Sequence, residues 1–147
     1  MFNKIFKAMK KIFVILMSVI AMSAFVSCDR TVSPDKLPDK AKQFIAANFS
    51  GTEVLSVRKD GFQYDVLLMD GTDMEFKHSG QWIKVDCGLN PLPTGVLLPN
   101  TIAYLTTRFP MNYPTQVKYE HKRYEVELNN ELDLLFDKNG NFMGADD

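Results

Sequence analysis

One pattern occurs twice in this chain at a fixed distance, and it limits the fold more than any other feature. Tyr64, Val66, Leu68, Met74 and Phe76 are answered by Tyr124, Val126, Leu128, Leu134 and Phe136, each 60 residues on. Residues 49–86 slide onto 109–146 without a gap, and nine of the 38 positions are identical, among them Val57/Val117, Asp73/Asp133, Gly80/Gly140 and Asp86/Asp146. About two identities would be expected by chance at ordinary residue frequencies. A gapless internal repeat means one supersecondary unit used twice, with the copies sharing a sheet or a core.

Each copy reads as a helix followed by four short strands. Leu37-Pro38 opens the first helix, with Ala41, Phe44, Ile45 and Phe49 as its apolar stripe and Gly51 as its stop. Leu98-Pro99 opens the second, with Ile102, Leu105, Thr106 and Phe109 as the stripe and Pro110 as the end. The two helices align only with a one-residue gap. Alternating residues place strands near 53–59, 62–69, 72–77 and 81–85, and again near 115–120, 123–129, 131–137 and 141–145.

Turn chemistry sets the register. Asp60-Gly61 is a two-residue hairpin signal that would place Val57 opposite Tyr64 and Leu55 opposite Val66. Glu120-His121 suits that turn poorly, so the second copy is expected to differ there. A three-residue loop, Met69-Asp70-Gly71 with Gly71 left-handed, puts Leu68 opposite Thr72, Val66 opposite Met74 and Tyr64 opposite Phe76. A shift by one residue would mix the faces, so the apolar pattern selects this loop. The expected fold is α+β: two tandem units of a helix and a four-stranded antiparallel meander, the sheet covered by helices on one face and open on the other.

The N-terminus is read as a targeting segment. Lys4, Lys7, Lys10 and Lys11 precede an uncharged apolar run from Ile12 to Val26, too short for a comfortable membrane span. A retained anchor helix is the alternative. Ala24-Phe25-Val26-Ser27-Cys28 resembles the lipobox of bacterial lipoproteins, although Phe25 stands where Leu is usual. The resemblance implies a lipoprotein signal peptide over 1–27, a lipid on Cys28 anchoring the protein to a membrane, and a location in the cell envelope, periplasmic or outer-membrane anchored. Acyl chains would make such anchoring stable. Cleavage near Ser23 or Ala24, leaving Cys28 a free thiol, is the other reading. Polar residues 28–36 are then a tether, and 37–147 the folded domain, its repeats at 37–86 and 97–147 joined by a linker with Gly88, Pro91, Pro93 and Gly95.

Removing the four leading lysines leaves 13 Lys+Arg against 18 Asp+Glu, net −5. That balance argues against a nucleic-acid partner. If Cys28 carries lipid, only Cys87 remains, and no internal disulfide forms.

Two strings carry a resemblance to a known family. Arg123-Tyr-Glu-Val-Glu-Leu, followed by Phe136-Asp-Lys-Asn-Gly-Asn-Phe, resembles PepSY domains. Leu37-Pro38 before a helix, then Gln63-Tyr-Asp-Val-Leu-Leu and Gly80-Gln-Trp, resembles PepSY-like secreted proteins with a tandem fold like that of the β-lactamase inhibitor protein. The resemblance spans about residues 36–147. It implies a non-enzymatic envelope protein that binds or inhibits a secreted enzyme, and transfers no inhibitory residue to a position here.

A search for chemistry yields little. His78 and His121 are not brought together by the repeat, and Asp137-Lys-Asn-Gly-Asn lacks the later ligands and the closing Glu of a calcium loop. No catalytic residue, metal ligand or cofactor is assigned. The remaining candidate is the open sheet face. Asp65, Asp73, Glu75, Glu125, Glu127 and Asp133 are expected to point away from the helices, with Leu67 and Leu135 among them and Arg58, Lys118 and Arg123 alongside. Leucines within a charged rim suit a protein-binding surface, whose partner would carry a basic patch. A solvated face of ordinary charge pairs is the plain alternative. A ligand or metal carrier, or a small hydrolase, is the alternative function, and an apolar pocket between sheet and helices would favour it.

Overall fold

A computed structural model describes residues 30–146. The signal peptide expected over 1–27 and Cys28 lie outside the described residues. Nine antiparallel strands form one sheet in strict chain order: β1 (Arg30–Val32), β2 (Val54–Asp60), β3 (Gln63–Leu68), β4 (Asp73–Lys77), β5 (Trp82–Asp86), β6 (Pro114–Glu120), β7 (Arg123–Leu128), β8 (Asp133–Asp137) and β9 (Phe142–Asp146). Two ten-residue helices, α1 (Asp39–Asn48) and α2 (Pro99–Arg108), lie on one face. Period-2 alternation makes the strands. Tyr64, Val66, Leu68, Met74 and Phe76 point to the helices and are buried, while the strand residues between them, Asp65, Leu67, Asp73 and Glu75, are half-buried. Four of these five are fully buried, each worth about 1.5–3 kcal/mol of transfer free energy.

The three-residue loops are as expected. Tyr64 faces Phe76 and Val66 faces Met74, as Tyr124 faces Phe136 and Val126 faces Leu134. Gly71 has φ +89°, and Gly71 N–H donates to the Leu68 carbonyl. Glu131 takes the same position in the second loop at φ +65°. Trp82 stands opposite Phe76, and Phe142 opposite Phe136.

The first hairpin corrects the expectation. Asp60 stays in the strand opposite Gln63, so the loop is Gly61-Phe62 and Val57 pairs with Val66 rather than Tyr64. The pairing moves by two residues, which preserves the faces. A bulge between Val54 and Ser56 turns Leu55 out of the ladder, leaving it 59% exposed instead of opposite Val66. In the second hairpin the loop is His121-Lys122, equal in length but not in conformation. Both residues are left-handed (φ +51° and +63°), whereas in the first hairpin only Gly61 is.

Three further expectations change. The tether drawn over 28–36 gives way from Arg30 onward: β1 pairs with β2, and Pro34–Lys36 form a 3-10 turn. The helices need no gap, since Asp39–Asn48 and Pro99–Arg108 are themselves 60 apart. The buried stripe of α2 is Thr101 and Leu105 with Tyr104 and Phe109 packed beside them, and Thr106 is exposed. Phe44 meets Phe76 edge-on at 5.9 Å, and Tyr104 meets Phe136 at 5.7 Å, which fixes each helix over its own strands.

The linker is part of the core. Cys87, Leu92 and Val96 are buried, and Thr94–Val96 form a second 3-10 turn. The linker brings β6 against β5, with Val85 opposite Val117. Tyr64 and Tyr124 occupy matching rungs on the covered side with different neighbours. Tyr64, on the third strand, stacks on His78, whereas Tyr124, on the seventh, packs on Trp82 and Tyr119.

Candidate functional site

The open face is built from two rows of side chains running across the strands. The first contains Thr31, Arg58, Asp65, Glu75, Lys84, Lys118, Glu125, Leu135 and Gly144, each opposite the next. The second contains Ser56, Leu67, Asp73, Asp86, Gln116, Glu127 and Asp133. All eight residues proposed from the sequence (Asp65, Leu67, Asp73, Glu75, Glu125, Glu127, Asp133 and Leu135) lie in these rows and are half-buried. Strand alternation alone puts them there.

The rows differ in electrostatics. In the first, cations and carboxylates alternate in pairs, and the Arg58 guanidinium lies 3.5 Å from Asp65 Oδ2. At its margin Lys118 Nζ meets Glu120 Oε2 at 3.1 Å, which holds the Lys118 ammonium above its ordinary range and the Glu120 carboxyl below it. The second row is acidic. Asp73 stands directly opposite Asp86, and Glu127 opposite Asp133, arrangements that repel. Lys84 bridges to Asp86 at 3.2 Å, and the Gln116 side-chain amide donates to Glu127 Oε2 at 3.0 Å. Partial burial raises the Glu127 pKa, and Asp133, Asp86 and Glu131 push it further.

Two shallow depressions interrupt this face. One, of about 300 Å³, is bounded by Ser56, Arg58, Asp65, Leu67 and Asp73. The other, of about 440 Å³, is bounded by Lys118, Glu120, His121, Arg123, Glu125 and Leu135. The structure thus divides the sequence candidates. Asp65, Leu67 and Asp73 gather in the first depression and Glu125 and Leu135 in the second, while Glu75, Glu127 and Asp133 line neither.

Sequence reasoning missed a pocket of about 330 Å³ beside the C-terminal half of α2. Leu92, Leu97, Ile102, Leu105, Phe109, Tyr113 and three prolines dominate its wall, and none of its twelve lining residues is charged. The sequence signal was the cluster Pro91, Pro110 and Pro114, which reads only as loops until the linker is seen to pack beside the helix. Cys87 borders a different, open depression between the end of α1 and the linker. Burial pushes its thiol pKa up, the wrong direction for a nucleophile. The Asp137 carboxylate is taken up by the backbone N–H groups of Asn139 and Asn141 and the Asn141 side chain, which lowers its pKa and makes this loop a hairpin turn. Among the described residues, no group of three or more His, Cys, Asp or Glu side chains could hold a metal ion.

Comparison with known proteins agrees with this architecture. The sequence profile of a family described as "Putative beta-lactamase-inhibitor-like, PepSY-like" matches residues 26–65 and 62–144. A search of curated proteins finds no match. A "putative calcium-regulated periplasmic protein" of Bacteroides thetaiotaomicron superposes with a TM-score of 0.76 at 29% identity, over 81% of this chain and 97% of that one. A "putative periplasmic protein of unknown function" of Bacteroides vulgatus gives 0.75 at 30% identity, over 81% and 99%. A "putative periplasmic protein from DUF2874 family" of the same species gives 0.76 at 25% identity, over 83% and 99%.

Proposed function

The chain belongs to the PepSY-like family, and from that premise we propose that it is a non-enzymatic binding module of the cell envelope, anchored by lipid on Cys28, that docks a protein partner on its open sheet face. The observation that carries the reading is the second row. Asp73, Asp86, Glu127 and Asp133 hold carboxylates face to face on a surface where Lys84 and Gln116 are their counterweights. Directly opposed carboxylates cost stability in the free protein, and a basic partner would relieve them. Leu67 and Leu135, half-buried among the charges, supply apolar contact. An enzyme-inhibitory role fits the same surface. We further propose that the sheet arose from one helix-plus-meander unit used twice, 37–86 and 97–147.

The test is crosslinking of the chain from Arg30 onward in an envelope extract, followed by mass spectrometry. Reversing Glu125 and Glu127 together to Lys should reduce partner recovery at least tenfold. Lys40→Glu, on the exposed side of α1, should leave recovery unchanged. Equal recovery by wild type and the double variant refutes docking on this face.

The uncharged pocket beside α2 supports a second reading, a carrier of a small apolar ligand. Its size is at the lower end for ligand sites. Saturable binding of a neutral fluorescent hydrophobe, abolished by Ile102→Trp, would favour it.

A further inference from the structure

The sheet displays what its own edges accept. The outer side of β6 is covered by β5, through Lys84 opposite Lys118 and Val85 opposite Val117. Sixty residues earlier, β1 covers β2 at the same rungs, through Thr31 opposite Arg58 and Val32 opposite Val57. The outer side of β5 is filled in turn by β6. Its counterpart β9 is paired only with β8, and among the described residues nothing lies along its other side.

The missing neighbour leaves marks. Trp82 is half-buried and packs on Tyr124 at 6.1 Å, while Phe142, on the matching rung, is 39% exposed. Ile83 is half-buried, while Met143 at the same place in the bulge is 53% exposed. The Cys87 N–H donates to the Thr115 carbonyl at 2.9 Å. By alternation, Val85 in the same ladder also turns its N–H and C=O toward β6. Ala145 holds the place of Val85, so its N–H and C=O point away from β8, where no described residue takes them up. Phe142–Asp146 contains no Lys, Arg or Pro, the residues that commonly guard an edge.

We propose that the free edge of β9 is a strand-accepting site for an extended, antiparallel segment of another protein. The segment is patterned like β6: an apolar residue opposite Ala145, a basic or polar residue opposite Gly144, and an aromatic one position further to cover Phe142. Main-chain bonds supply the affinity and alternate side chains the selectivity. A second copy is a poor occupant. Its β2, the equivalent of β6, is already covered by its own β1, and two β9 strands paired antiparallel about Ala145 would set Gly144 opposite Asp146 and leave Phe142 without an aromatic neighbour from the second copy. The inference does not rest on docking at the open face.

The experiment uses the chain from Arg30 onward, which contains the whole sheet, and a fluorescent peptide of residues 113–129, the β6–β7 hairpin. Saturable anisotropy is expected, with amide NMR shifts centred on Gly144 and Ala145. Ala145→Pro removes the outward N–H while leaving the β8 ladder in place, and should weaken binding at least tenfold. A peptide carrying Val117→Asp should weaken it similarly. Undiminished binding to Ala145→Pro, NMR shifts confined to β1 or the open face, or no saturable binding overturns the proposal. A concentration-dependent dimer that the peptide dissociates also overturns it, since the occupant would then be a second copy. The NMR map on the unsubstituted chain decides the case if the Pro variant fails to fold.

Discussion

Glu131 and Gly71 occupy the same place in two loops of equal length, and the chain thereby provides its own control. Each N–H closes its loop by donating to the carbonyl three residues back, Leu128 at 2.9 Å and Leu68 at 3.1 Å. Gly71 sits at φ +89° without penalty, while Glu131 sits at φ +65° with a Cβ. Left-handed conformation costs a non-glycine residue about 1–2 kcal/mol. Glycine returns about 0.4–1 kcal/mol of that through the greater freedom of the unfolded chain. Glu131→Gly should therefore stabilise the domain by about 0.5–1 kcal/mol. A domain of this size unfolds with an entropy of about 0.25 kcal/mol/K, so the melting temperature should rise by about 2–4 °C. Removing a carboxylate that acts on Glu127 works in the same direction. The reciprocal change, Gly71→Ala, should by the same balance destabilise by about 0.5–1 kcal/mol, and no heavy atom within 4 Å of the added Cβ offers a steric excuse. Thermal and urea unfolding followed by circular dichroism measure both. A neutral or destabilising Glu131→Gly beside a destabilising Gly71→Ala would refute the reasoning, because the two loops would then not share one conformational demand.

Two more expectations follow from geometry and charge. Gly140, at φ +82°, sits beneath the first turn of α2, where an added Cβ would stand 2.8 Å from Thr101 Oγ1 and 3.1 Å from Leu98 Cβ. Gly140→Ala should cost about 2–4 kcal/mol in urea unfolding, and an unchanged midpoint would show that the helix is free to lift. The raised pKa of Glu127 means that the folded state holds its proton more tightly than the unfolded state does. Its contribution is most favourable below the unfolded carboxylate pKa and declines as pH rises through the raised folded value. Glu127→Gln should thus stabilise at pH 7 by at most about 0.5 kcal/mol, with the gap over wild type closing as pH falls through the carboxylate range; a gap that widens on acidification contradicts the assignment.

Much of the candidate face was legible because strand alternation is local. Once Tyr64, Val66 and Leu68 are known to point inward, Asp65 and Leu67 point outward, and the three-residue loop transfers that choice to Asp73 and Glu75. The errors lie where local signals are degenerate. Asp60-Gly61 fits a hairpin at either of two registers, and only the Asp60–Gln63 pair decides between them. The α2 pattern allows a stripe through Ile102 and Thr106 or through Thr101 and Leu105. Tyr104, packed on Phe136 and Phe142, selects the second. The short sequence Arg30-Thr-Val32 carries no strand signal of its own and becomes β1 because β2 offers it an edge.

By itself, then, the sequence determined the faces of the strands, the three-residue loops and the two helices, since alternation, apolar spacing and turn residues act within a few positions of one another. Only the tertiary structure decided that β5 joins β6, that β1 seals β2 while no described residue pairs with the outer side of β9, and that an uncharged pocket lies beside α2. Those outcomes depend on contacts between segments distant in the chain, where many pairings satisfy the same local pattern and packing of the whole sheet chooses among them.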